Sequence, residues 1–298
     1  MSVEVVIKNR QLFKKPLSIN NLTLGKYSYG HFDDYYRRVD GLIEGFNVLY
    51  NPNKIGRGIQ FQWSNFLRNE ISLSVNFAGT KYDIEMFHEV IRNIMHVWKA
   101  KTFERDGVVY KEADIDAWCN SDKDCNWAFL AQLEENMTIY GAAFPIDIDF
   151  KNEEITKLIV NQDEEGFANY LHKLQSSGAY FAVPIIYSLN ENEYYGNYVA
   201  SADTDTIFPK APGNPIMFIN PKTGKQLECS LFTVTLVSLE KKCAVGRMSF
   251  EDFANKVNIK GCPAFDHSHV FLKGMSEKEI QDLADSEHVD PLGQYFNF

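Results

Sequence analysis

Ile71-Ser72-Leu73-Ser74-Val75-Asn76-Phe77 alternates apolar and polar residues, and the stretch Thr80 to Trp98 behind it changes period. Successive side chains of a strand point to opposite faces, so the alternation predicts a half-buried strand whose polar face meets water or a partner. That pattern belongs to an antiparallel sheet. After Thr80, Ile84, Phe87, Ile91, Ile94 and Trp98 recur every three or four residues, one apolar stripe of a helix. Thr80 suits the N-cap, with Asp83 near the positive helix end. Asp106-Gly107 then predicts a hairpin turn between Thr102–Arg105 and Val108–Lys111.

The pattern extends in both directions. Val3, Val5 and Ile7 alternate, as do Ile59, Phe61 and Trp63, and Phe46 to Tyr50 reads as a strand stopped by Asn51-Pro52. Residues 113 to 137 read as one or two helices, 138 to 150 as strand, and 153 to 159 and 163 to 177 as short helices. Strands are expected at 179–187, 194–200, 215–219 and 226–239, with a proline-rich loop at 209–215. Ser249 and Ser276 open two closing helices, the second with a Ser276/Glu279 capping box. The fold class is therefore α+β, with mixed, mainly antiparallel sheets and helices packed on one face. The Asn51-Pro52 and Asn220-Pro221 turns, each before a strand and a helix, raise two similar halves as one organisation. The boundary is soft near 160 to 178, giving 1–165 and 166–298; one compact domain is the alternative.

The 298 residues are 45% hydrophobic and 23% charged, which excludes disorder as the main state. Thirty Lys and Arg stand against 40 Asp and Glu, a formal charge of -10. That total argues against a general nucleic-acid binder and against a binder of anionic membranes. The charge is uneven: residues 1–100 hold 13 basic and 9 acidic residues, and residues 101–200 hold 7 and 18. A local basic face in the first third is compatible with the total. Five cysteines without close pairs read as reduced thiols rather than a disulfide framework. No secretory signal and no long apolar run is read, so a cytoplasmic location is expected.

Catalytic patterns begin in several places and stop short. His88-Glu89 opens like a zinc-protease helix, but Arg92 occupies the second histidine's position. His88, Arg92 and His96 are read as a solvated helix face. Asp122, Asp124 and Asn126 imitate a calcium loop, yet Trp127 and Leu133 stand where glycine and glutamate are needed. These acids are instead expected at the start of the following helix. Asp147 and Asp149 lie two apart on a strand, a spacing that can hold magnesium, or that marks the outward face of an edge strand. His267 and His269, after Asp266 and near Cys262, form the best metal-like cluster, though a third ligand is not identifiable. No nucleophile elbow, Walker loop or dinucleotide fingerprint occurs. No cofactor is implied.

The most unusual composition is residues 26 to 38. Aromatic, cationic and acidic side chains crowd there, and tyrosine and arginine are favoured anchors of interfaces. Tyr27, Tyr29, His31, Asp33, Asp34, Tyr35, Tyr36 and Arg37 are the binding candidates, with Arg57, between two glycines, as a member of the same face. The alternative is a loop or short helix plugging one end of the core.

MSVEVVIKN at the start, NLTLGKYSYG (21–30), NVLYNPNKIGRGIQFQWS (47–64) and ENMTIYGAAFPIDID (135–149) resemble a bacterial, mainly Gram-positive family of proteins of this length. It is classed as a domain of unknown function. The resemblance implies a bacterial cytosolic location and carries no activity or site residues.

The leading expectation is a non-enzymatic cytosolic binding protein acting on a protein partner, inhibitor- or immunity-like in one version. The competing expectation is a metal-dependent hydrolase or transferase using Asp147/Asp149 or His267/His269. A small-molecule binder between the halves is the third. No membrane partner is expected.

Overall fold

The computed structural model describes residues 1–64, 69–190, 193–213, 218–220, 224–288 and 290–293. The chain divides into two units, Met1–Ser177 and Gly178–Phe298.

In the first unit the alternating segments pair edge to edge. β1 (Ser2–Lys8), β2 (Ser28–Phe32), β3 (Arg38–Asp40), β4 (Gly45–Tyr50), β5 (Ile59–Trp63), β6 (Glu70–Asn76), β7 (Thr102–Arg105) and β8 (Val108–Lys111) form one sheet in the order β3-β2-β4-β5-β6-β1-β7-β8. Every pairing in it is antiparallel. Ile71, Leu73 and Val75 of β6 are buried, with Ser72 and Ser74 between them partly exposed. α1 (Asn20–Thr23) is a single turn. α2 (Lys81–Trp98) lays its stripe on the sheet, where Ile84, Phe87, Ile91, Ile94 and Trp98 pack with Val5, Ile7, Phe61 and Leu73. Thr80 caps it: its hydroxyl accepts from Asp83 N, and Asp83 accepts from Thr80 N at 2.8 Å. Asp106 and Gly107 both take positive φ, +48° and +82°, the geometry a two-residue hairpin turn demands.

α3 (Ile115–Leu130) is one helix after a short 3-10 turn. Asp122 therefore stands mid-helix and buried rather than at a helix start, which corrects the expectation for the 122–126 segment. The segment 138–150 is two strands rather than one. β9 (Asn136–Tyr140) and β10 (Pro145–Asp149) fold back on each other around Gly141. A Cβ at Gly141 would lie 2.2–2.3 Å from the Gln175 amide. That amide is the clasp of the turn, accepting from Ala143 N at 2.7 Å and donating to Phe144 O at 2.9 Å. α4 (Glu153–Val160) and α5 (Glu164–Gln175) close the unit. A small second core of Val48, Tyr50, Ile55 and Ala142 lies on the other face of β4, with Phe32 against it.

The second unit holds β11 (Tyr180–Phe181), β12 (Ile185–Ser188), β13 (Tyr194–Ser201), β14 (Thr206–Pro209), β15 (Cys229–Ser238), β16 (Cys243–Ser249), α6 (Phe250–Lys256), β17 (His269–Leu272) and α7 (Glu277–Asp285). Its sheets run β12-β13-β15-β16 and β11-β14-β17, with β13–β15 and β11–β14 parallel. The expected strand 179–187 is split because Pro184 has no N–H to give a ladder. Residues 215–217 of the expected strand 215–219, and Pro221 of the second Asn-Pro pair, lie outside the described residues. The core is an aromatic cluster in which Tyr198, Phe208, Phe250 and Phe253 rings stand 5.1–5.7 Å apart. The chain is thus α+β with mainly antiparallel sheets, the two units differing in strand number and in pairing. Among the described residues no helix is long and apolar enough to cross a membrane.

Candidate functional site

The 26–38 segment is neither loop nor helix for most of its length. It supplies β2, the turn 33–37 and the start of β3, one of the two edge strands of the eight. Strand alternation sends its side chains two ways. Tyr29, opposite Leu49, packs with the core under α2, as does Tyr27. The Tyr27 hydroxyl donates to Glu89 at 2.5 Å, and burial together with that carboxylate raises its pKa. His31 Nδ1 lies 3.2 Å from Gly41 O. Phe32 faces the second small core instead.

Asp33 organises the turn. Its Oδ1 accepts from Tyr35 N and Arg37 N, each at 2.9 Å, and its Oδ2 accepts from Arg37 Nε at 2.9 Å. The guanidinium lies 5.5 Å from the Tyr35 ring. Tyr36 takes φ +57°, and its ring lies 4.4 Å from that of Tyr140. Asp34 is exposed. Arg38 donates its N–H to Ala143 O at 2.7 Å and stacks on Tyr50 at 4.2 Å, leaving Nη1 buried without a hydrogen-bond partner among the described residues.

Arg57 is drawn into this neighbourhood from below. Its Nε donates to Tyr140 O at 3.3 Å, Nη1 donates to Phe77 O, and its N–H donates to Asp83 at 3.0 Å. Burial lowers its pKa to about 10 against the opposing pull of Asp83 and Tyr140. Tyr140 therefore joins two candidates, Tyr36 and Arg57, from separate stretches of chain. Tyr27, Tyr29 and His31 do not share that place. Beyond the turn the surface is mixed: Asp40 and Glu44 are exposed, and so are Val39 at 43%, Ile43 at 40% and Phe46 at 71%.

The candidate carboxylates and histidines sit in local bonding patterns. Asp147 accepts from the Thr138 hydroxyl at 2.5 Å across the β9–β10 hairpin, and Asp149 accepts from Lys151 N at 2.9 Å. His269 Nδ1 lies 2.9 Å from Asp266 Oδ1, and its ring is 5.0 Å from Phe181. His267 offers its carbonyl to Lys210 Nζ at 2.5 Å. Among the described residues no three His, Cys, Asp or Glu side chains are grouped as a metal ion would need.

One constellation was not legible as such. His88 is 5% exposed and Asp122 0%, so the expected solvated face is corrected for His88. Asp122 Oδ2 lies 2.8 Å from His88 Nε2 and 2.8 Å from Arg105 Nη1, and Oδ1 is 2.5 Å from Arg105 Nη2. The guanidinium also covers the Trp118 ring at 4.1 Å. Burial pushes the Asp122 carboxyl up, but the hydrogen bonds from Arg105 and His88 outweigh it and hold the pKa below the ordinary value. Arg92 and His96 do stay at the surface, paired with Asp116 and Glu112. A helical histidine beside the stripe residue Phe87 is no signal by itself; its partner lies 34 residues on.

The geometry defines an α+β protein with a clasped turn at a sheet edge and a buried, hydrogen-bonded His88–Asp122–Arg105 triad. The chain belongs to the family of the domain of unknown function DUF4299, whose model matches residues 2–283. No curated protein and no solved structure matches it.

Proposed function

We propose that the chain is a non-enzymatic binding protein whose partner is a protein, engaged through the turn at residues 33–37 and the outer strand and loop that follow it. The observation that carries this reading is the Asp33 clasp. A carboxylate that holds two backbone N–H groups and a guanidinium fixes the turn before any partner arrives, which reduces the ordering cost of association. The surface it presents mixes acidic Asp34, Asp40 and Glu44 with exposed Val39, Ile43 and Phe46. Apolar contacts within an acidic rim suit a partner with a basic rim, and electrostatic complementarity would speed encounter. An inhibitor- or immunity-like role in a bacterial cytosol is the specific version of this reading.

The test is affinity capture from a lysate of the source cells with the wild-type chain and two variants, Phe46→Glu and the triple Asp34→Lys/Asp40→Lys/Glu44→Lys. The reading expects a protein retained in stoichiometric amount by the wild type, released by salt, and lost by both variants. Identical retained proteins for all three baits would overturn it.

A further inference from the structure

A second surface lies where β1 and β8 end and β7 begins. These three ends are brought together by register: Val6 pairs with Glu104, and Thr102 with Lys111. The C-terminus of α2 reaches the same place. Trp98 Nε1 donates to Lys15 O at 2.9 Å, and Asn9 Nδ2 donates to that carbonyl at 3.3 Å, which ties the loop after β1 to the helix end. Lys99 follows at φ +50°, its N–H donating to His96 O.

The charge here runs against the chain's total. Residues 8–15, Lys-Asn-Arg-Gln-Leu-Phe-Lys-Lys, carry four cations and no acid. An open cavity of about 490 Å³ is lined by His96, Lys99, Lys101, Lys111 and Glu112. Lys99, Lys101 and Lys111 are exposed. Among the described residues they, Arg10 and Lys15 form no ion pair. The acids nearby are mostly engaged: Glu104 with Lys8 at 3.0 Å, Glu112 with His96 at 2.6 Å, and Asp114 with Lys111 N at 2.9 Å. Glu70, opposite Lys8, is exposed. At the tip of the basic loop Leu12 is 91% exposed and Phe13 88%.

We infer that this end of the first unit docks onto an anionic lipid bilayer, with Leu12 and Phe13 entering the headgroup–acyl boundary and the surrounding lysines and Arg10 meeting lipid phosphates. Two features select a bilayer. The apolar pair protrudes almost fully exposed, which suits a fluid apolar phase. Cations flank it on the chain and gather beside it in space, the arrangement of interfacial anchors. A nucleic acid would meet the lysines but offers nothing to Leu12 and Phe13. The net charge of -10 does not oppose this: surface charges beyond about 8 Å are screened at physiological salt, and residues 8–15 carry four cations and no acid. Docking of this kind is peripheral and needs no spanning helix.

The experiment is cosedimentation of the full chain with phosphatidylcholine vesicles, with and without phosphatidylglycerol. The inference expects binding to the anionic vesicles, reversal by high salt, and no binding to phosphatidylcholine alone. Leu12→Glu/Phe13→Glu and Lys99→Glu/Lys101→Glu/Lys111→Glu should each weaken binding about tenfold or more. Phe13→Trp should show a blue-shifted emission on anionic vesicles. Circular dichroism of each variant separates lost docking from lost folding, and the tryptophan variant reads insertion without removing an apolar group. Failure of the wild type to bind anionic vesicles, or binding that survives Leu12→Glu/Phe13→Glu with no blue shift in Phe13→Trp, would overturn the inference.

Discussion

His88 Nε2 lies 2.8 Å from Asp122 Oδ2 inside the first unit, although the two residues are 34 positions apart. Because Arg105 closes on the same carboxylate from the other side, Asp122 is the shared hydrogen-bond partner of two buried side chains. Removing one partner of such a group leaves uncompensated polarity in a low-dielectric interior. Asp122→Asn is expected to lower stability by about 3–5 kcal/mol, read as a shift of the urea midpoint followed by tryptophan fluorescence. A shift within error of zero would show that water reaches the triad.

The same carboxyl sets an acid limb. Its pKa in the folded chain is below the ordinary value, so the unfolded chain takes up its proton first as pH falls. The stabilisation is fully present above an unfolded carboxyl pKa of about 4 and is lost as pH drops through the lower folded value. Melting temperature should fall below that point in the wild type, and the fall should be shallower in Asp122→Asn. Equal slopes in the two proteins would contradict the assignment.

Gly141→Ala should destabilise the first unit. The new Cβ would displace the Gln175 amide and free Ala143 N and Phe144 O, at a cost of about 1–3 kcal/mol for buried groups left unpaired. Gln175→Ala should cost a similar amount, and the double variant should cost less than the two together. Strict additivity in denaturant titrations would refute a shared cause.

Asp33→Ala should loosen the 33–37 turn without unfolding the sheet. The amides of Tyr35 and Arg37 lose their acceptor, so their hydrogen exchange should accelerate while those of β4 and β5 keep their protection. Unchanged exchange at both amides would mean that the clasp does not hold the turn.

Ser276→Ala removes the hydroxyl that accepts from Glu279 N and donates to its carboxylate at 2.7 Å. Loss of this cap on α7 should cost about 1 kcal/mol, read as a lower melting temperature, with Ser276→Thr near wild type. Equal losses for both substitutions would assign the effect to packing instead.

The legibility of these features follows their range in the chain. The β6 alternation, the α2 stripe, the Asp106-Gly107 turn and the Ser276 capping box rest on neighbours within a few positions, and all four stand as read. Pro184 splitting β11 from β12 is equally local, but it stands inside an otherwise apolar run, 179–187, that resembles one strand. β2 and β3 were hidden because tyrosines and paired charges obscure a two-residue period.

The site divides in the same way. Composition alone marked residues 26–38 as a cluster of interface-type side chains, and the uneven charge of the first third was countable from the sequence. Pairing of β2 with β4 and β3 then decided that Tyr29 turns toward the core while Phe32 faces away. Tertiary contact alone decided that Tyr140 stands beside Tyr36 and Arg57, and that His88 has a charge to answer it. Local backbone preference and side-chain period are written into short windows of sequence. The burial of an ionisable group depends on whether a distant strand or helix delivers its partner, and only the folded chain supplies that.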